Sequence, residues 1–186
     1  MPNHVKNVLT IKGIKPKDIP DLLEKLTTPL NCLSPDDDIL NRIFDFDKII
    51  PEPKTKEECP EDCWVTPSSH VMEDKEKPWF DWYAWHVKHW GTKWNSYDGY
   101  IIIKPSSITF VFSTAWNMPE PVYNQLVKTY NEYDMELRYA DEDWGSNCGH
   151  AVHHKEDWCS FVYEDMDARF TAQERRNWAK RLWDNY

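Results

Sequence analysis

Between Trp79 and Trp94 the chain places tryptophan at 79, 82, 85, 90 and 94, with Tyr83 among them. Each such ring covers roughly 150–250 Å² of surface. A chain that concentrates them must pack them against other elements or present them as anchors for a partner. Trp79, Trp82, Trp85 or His86, and His89 recur at three- and four-residue spacing, which predicts a helix over 78–90 with Pro78 in its first turn. Packing of most rings against a sheet is the expectation, with one or two left outside as partner anchors. Base stacking, as in single-strand binders, is the competing reading.

Charge weighs against that competitor. Lys and Arg total 22 and Asp and Glu total 32, a net charge of −10. A broad basic face for phosphates is therefore excluded, and a basic protein partner suits the chain better. The plainer consequence of the same charge is solubility. Eleven tryptophans, only 5 glycines and 40% hydrophobic residues in 186 positions describe one folded domain with a sizeable core. No apolar run approaches the roughly 18 residues of a membrane span. Met1-Pro2-Asn3-His4 does not open a secretion signal. A cytoplasmic protein is expected, and five cysteines, an odd number, argue against a disulfide framework.

Alternation at Val5, Asn7, Leu9 and Ile11 predicts a first strand ended by Gly13. Ile19, Leu22, Leu23 and Leu26 predict a helix within 15–30, and residues 44–50 alternate as a short strand stopped by Pro51. Residues 54–77 are charged and irregular and read as an inserted loop. Strands are expected at 100–104, 108–113 and 135–139, and one or two more in 150–162. A helix is expected over 119–130, with Val122, Leu126 and Tyr130 inward. Thr171 with Glu174 predicts a capping box opening a last helix, 172–184, in a C-terminal extension of 150–186. Hairpins mixed with helices favour α+β over a doubly wound sheet.

Four segments occur in order: Phe44-Asp45-Phe46-Asp47-Lys48-Ile49-Ile50-Pro51, Trp90-Gly91-Thr92-Lys93-Trp94-Asn95, Phe112-Ser113-Thr114-Ala115-Trp116-Asn117 with Pro119, and Tyr139-Ala140-Asp141-Glu142-Asp143. Together with Met1-Pro2-Asn3-His4, they resemble the YubB ferredoxin-like family of phages and plasmids over roughly residues 1–150. The resemblance implies a ferredoxin-like antiparallel sheet with packed helices, no iron–sulfur cluster and no settled activity. Departures from the pattern fall in the cysteine-bearing loop and after Gly149, where specific function is then expected.

Cys59 and Cys63, with three residues between them, followed by His70, form a candidate structural zinc site. His86 is taken as the fourth ligand, with His89 and Cys32 as alternatives. Cys148, His150, His153, His154 and Cys159 form a competing set. Asp141, Glu142 and Asp143 read as a polar turn, or as paired carboxylates for metal-assisted chemistry. With Trp144 they are the candidate partner-binding residues. Neither a nucleophile elbow nor a phosphate-cradling glycine loop is present. Arg169, Arg175, Arg176, Lys180 and Arg181 give the last helix a basic face. The expectation is a non-enzymatic inhibitor from a phage or mobile element. It engages a basic host nucleic-acid-binding protein, a CRISPR nuclease first, without touching nucleic acid or membrane. A small metal-dependent enzyme and a nucleic-acid module using tryptophan stacking are the alternatives.

Overall fold

The alternation that marks Val5 to Ile11 as a strand also decides where the core lies. In the computed structural model, β1 (His4–Lys12) buries Val5, Asn7, Leu9 and Ile11 on one face and Val8 on the other. The structure describes residues 3–30, 41–55, 58, 64–65, 79–156, 161–166 and 169–186. A strand buried on both faces must be central, and β1 pairs on both edges.

The first helix, α1 (Ile19–Leu26), turns Ile19, Leu22, Leu23 and Leu26 inward. It stops four residues earlier than expected. The Thr27 hydroxyl donates to the Leu23 carbonyl at 2.6 Å while its backbone turns extended. Thr27–Pro29 (β2) then pairs with Arg42–Phe44 (β3). The strand expected over 44–50 is instead a 3-10 turn at Phe46–Lys48, because the Asp45 carboxylate accepts from the Asp47 amide and folds the chain back. A two-residue ladder, Trp64–Val65 (β4) with Trp79–Phe80 (β5), precedes α2 (Trp82–His89). Asp81 caps α2 by accepting from the Ala84 amide, so this helix starts later than Pro78.

Then follow β6 (Tyr97–Lys104), β7 (Ser107–Ala115), α3 (Glu120–Thr129), β8 (Asp134–Asp141), β9 (Cys148–His153), β10 (Phe161–Asp165) and α4 (Ala172–Asn185). The main sheet is antiparallel, in the order β10-β9-β8-β1-β7-β6. Within it β1, α1, β6, β7, α3 and β8 form the βαββαβ unit of the ferredoxin-like fold. The antiparallel α+β sheet with packed helices is as the sequence indicated.

Each sheet face has its own cover. Leu9, Phe110, Phe112, Met135 and Leu137 meet Leu22 and Leu26 of α1 and Val122, Tyr123 and Leu126 of α3 in one cluster. Buried Tyr123 sends its hydroxyl to the carbonyls of Met135 and Ala151. On the other face Val8, Val111, Ala140 and Cys148 meet Ala179 and Leu182 of α4. Thr171 and Glu174 form the capping box. Residues 150–186 thus supply β10, most of β9 and the cover of the second face. Among the described residues no helix is long and apolar enough to cross a membrane.

Leu126→Ala is expected to lower unfolding free energy by about 2–5 kcal/mol, since it opens a cavity at the centre of the larger cluster. Thr171→Ala is expected to cost about 1 kcal/mol. Urea denaturation of both variants checks the ratio. His89, stacked on Trp85, has its pKa held below the ordinary 6.5 by burial and then by Lys88. The unfolded chain takes that proton first, so this contribution to stability is present above pH 6.5 and lost as the medium is acidified below it. His89→Gln should flatten that acid limb in melts recorded against pH.

Candidate partner-binding surface

The segment after α2 alternates residues turned inward with residues turned outward. Gly91 lies past the helix end with φ of 79°, and a Cβ there would meet Pro121 Cδ at 2.7 Å. Trp90 is buried, stacked on His86 at 4.1 Å, and its indole N–H donates to the Ile50 carbonyl. The Thr92 hydroxyl donates to the Ala115 carbonyl and accepts from the Ala115 amide, locking the segment to β7. Asn95 accepts from the Phe46 and Ser96 amides and donates to Asp45 at 2.7 Å. The Ser96 hydroxyl donates to the Phe44 carbonyl. With positions 90, 92, 95 and 96 so committed, Lys93 and Trp94 face outward.

Around them lies an aromatic surface. Trp82, Tyr83 and Trp94 are 41%, 42% and 37% exposed, and Val87 is exposed beside them. The Lys93 ammonium sits 4.9 Å from the Trp94 ring centroid, 5.4 Å from Trp116 and 5.9 Å from Tyr83, within cation–π range of all three. Trp116 takes φ of 74°, a conformation bulky residues rarely adopt, at a cost of about 1–3 kcal/mol. It is held by its amide on the Asn3 carbonyl and by Asn147 Nδ2 on its own carbonyl. Its ring meets Tyr83 edge-on at 5.9 Å.

Asn3 and Asn147 carry this surface into the turn after β8. Asp141 is only 4% exposed, and its oxygens accept from Asn3 Nδ2, the Asp143 amide and Asn147 Nδ2. Glu142 accepts from the His4 amide and Asp143 from Asn3 Nδ2. The Tyr97 hydroxyl, 2.6 Å from His4 Nδ1, has its pKa pushed up to about 12, chiefly by burial. It therefore stays protonated and shares one hydrogen bond with that nitrogen. Trp144 is 43% exposed. Glu142, Asp143, Trp144, Arg175 and Arg176 line an open cavity of about 500 Å³, and Arg175 Nε donates to the Gly145 carbonyl. Of the four residues read as partner-binding, Asp141 thus organises the turn while Glu142, Asp143 and Trp144 face solvent.

Cys59, Cys63 and His70 lie outside the described residues, as do Cys32 and Cys159. His86 is buried in α2, with Nδ1 at 2.9 Å from the Lys93 carbonyl. Its Nε2 stands 3.3 Å from Glu52 Oε1 without hydrogen-bond geometry. Of the second set, Cys148 is in the core under α4, and His150 packs against Trp178. His153 Nε2 contacts the Asn131 carbonyl, and His154 reaches towards Asp134. Among the described residues no three His, Cys, Asp or Glu side chains are grouped to hold a metal.

Comparison with known protein families matches residues 89–184 to the ferredoxin-like domain in Api92-like protein, more than half of the chain. The chain belongs to this family. The matching description is Api92-like rather than YubB. The matched span contains three of the four motifs, the acidic turn among them, and all of α4 but its last residue, so it reaches well past Gly149. Neither the curated proteins nor the solved structures contain a match to the chain.

Sequence reasoning did not foresee that Tyr83, Lys93, Trp94 and Trp116 meet. The visible signal was Trp116 directly after a strand, where the chain must turn and offers no glycine. Asp141→Ala should destabilise the fold by roughly 2–4 kcal/mol, since it strands buried donors. Exposed Glu142→Gln should stay within about 0.5 kcal/mol. Guanidinium denaturation with paired circular dichroism and fluorescence readouts checks both.

Proposed function

We propose that this protein is a non-enzymatic binding protein whose aromatic and acidic end engages a basic protein partner. The observation that carries the reading is the union of two features at one end of the sheet. Exposed Trp82, Tyr83 and Trp94 adjoin, through Trp116, Asn3 and Asn147, the exposed carboxylates of Glu142 and Asp143. Exposed aromatic rings of this kind are the common anchors of protein interfaces. Carboxylates beside them steer a cationic partner and suppress anionic ones. The net charge of −10 acts in the same direction.

The partner class is a host nucleic-acid-binding protein, and a CRISPR nuclease is the leading member, because its nucleic-acid channel is positively charged. In this reading the protein comes from a phage or mobile element, acts in the host cytoplasm and blocks nucleic-acid loading. A zinc staple in the 54–77 loop belongs to the same proposal. It is supported by Cys59, Cys63 and His70, with the buried, unbonded Nε2 of His86 as its attachment to α2.

Immobilised protein should retain a purified CRISPR nuclease in its DNA-free form, and retention should fall when DNA is loaded first. Trp94→Ala and Asp143→Lys should each weaken retention at least tenfold, and raised salt should weaken it further. No retention of any basic nucleic-acid-binding protein, or retention indifferent to both substitutions, would overturn the reading. Elemental analysis should find one zinc per chain, and Cys59→Ser should abolish it; a metal-free native protein removes the staple from the proposal.

A further inference from the structure

Farther along α4 a second cavity has a basic lining. Strand β8 alternates Met135, Leu137 and Tyr139 into the larger core, which sends Glu136, Arg138 and Ala140 to the face under α4. Residues Trp178, Arg181, Leu182 and Asn185 of α4 recur at three- and four-residue spacing above Arg138. Together with Tyr186 they line a half-open cavity of about 370 Å³. That volume falls within the roughly 300–1,000 Å³ typical of small-ligand pockets.

The lining has a definite chemistry. Arg138 Nη2 donates to the Tyr186 hydroxyl, and its guanidinium lies 5.5 Å from the Tyr186 ring centroid. Its Nε is buried without a hydrogen-bond partner, and Glu136 Oε1 stays 3.7 Å away. Glu136 is shared with Lys12 at 3.8 Å. Arg181 spends its Nε on the Asn177 carbonyl. Among the described residues no carboxylate lies within ion-pair distance of Arg181. Two guanidinium groups therefore line one cavity of an acidic protein, with Glu136 beside Arg138 and the Tyr186 main-chain oxygen bonded to Lys6 and Tyr100. Beside them stand two aromatic rings, Trp178, anchored by its indole N–H on the Tyr139 carbonyl, and Tyr186.

The geometry points to a binding site for a small aromatic anion, a flat ring carrying one phosphate or carboxylate, in the cavity between α4 and β8. The anionic group pairs with Arg138 and Arg181, whose planar donors match either oxyanion. The ring lies along Trp178 and Leu182. This site is separate from the aromatic and acidic end and does not depend on it.

Titration calorimetry of the full chain tests the assignment with adenosine monophosphate, benzoate and inorganic phosphate as probes. At least one ring-bearing probe should bind at one site per chain, ten times or more tighter than inorganic phosphate. Which of the two does so identifies the oxyanion. Arg138→Gln and Arg181→Gln should each weaken that probe at least tenfold, and the Trp178 indole N–H resonance should shift on binding in the unsubstituted protein. Arg181 is on the exposed side of α4, so its variant carries the test if Arg138→Gln fails to fold. No binding by either ring-bearing probe, phosphate binding as tightly as both, or affinity unchanged in Arg181→Gln would each overturn the assignment.

Discussion

The hydrogen bonds made by Thr92 and Asn95 hold the molecule's distinctive end in place. Thr92 binds both polar groups of Ala115, so the chain leaving α2 is fixed to the end of β7. Three residues later Asn95 satisfies the Phe46 amide and the Asp45 carboxylate, which fixes the 3-10 turn to the same strand end. Trp90 adds its indole bond to Ile50. Polar groups buried this way are costly if stranded, so the three segments keep one arrangement. That arrangement leaves Lys93 and Trp94 no course but outward.

This constraint explains why the segments that carry the family resemblance have their composition. Phe44–Pro51, Trp90–Asn95 and Phe112–Asn117 are bonded to one another, and Asn147 ties the last to Tyr139–Asp143 through Trp116 and Asp141. They are far apart in sequence and adjacent at one end of the sheet. The motif residues turned inward do structural work. Those turned outward, Lys93, Trp94, Glu142 and Asp143, form the surface available to a partner. Strain at Trp116 fits this division, since a bulky residue held at φ of 74° positions a ring against Tyr83 that a glycine would not supply.

Local signals in the sequence were sufficient for much of the fold. Alternation in β1, the β6–β7 hairpin, the apolar stripe of α3 and the capping box at Thr171 all rest on neighbours a few residues away. The short strand expected at 44–50 failed because its partner was Asn95, fifty residues on, and because Asp45 folds the chain locally. The fate of the tryptophans was also illegible. α2 carries large rings on several faces, so spacing alone does not say that Trp85 enters the core while Trp82 stays out. Cys148 read as a ligand candidate in a sequence and became packing under α4, because β9 joins the main sheet. That Arg138 and Arg181 line one cavity depends on which face of β8 the last helix covers, a property of tertiary packing.

Aromatic rings stand beside carboxylates at one end of the sheet and beside guanidinium groups beneath α4. The first of these is the surface we propose for docking of a basic protein. Indole N–H resonances, assigned one by one and followed while an arginine-rich peptide is added at low salt, test it most directly. Shifts are expected at Trp82, Trp94, Trp116 and Trp144, weakening as salt is raised, with Trp85 and Trp90 unmoved. Shifts confined to Trp178 and Trp183, or none at any tryptophan, would contradict it.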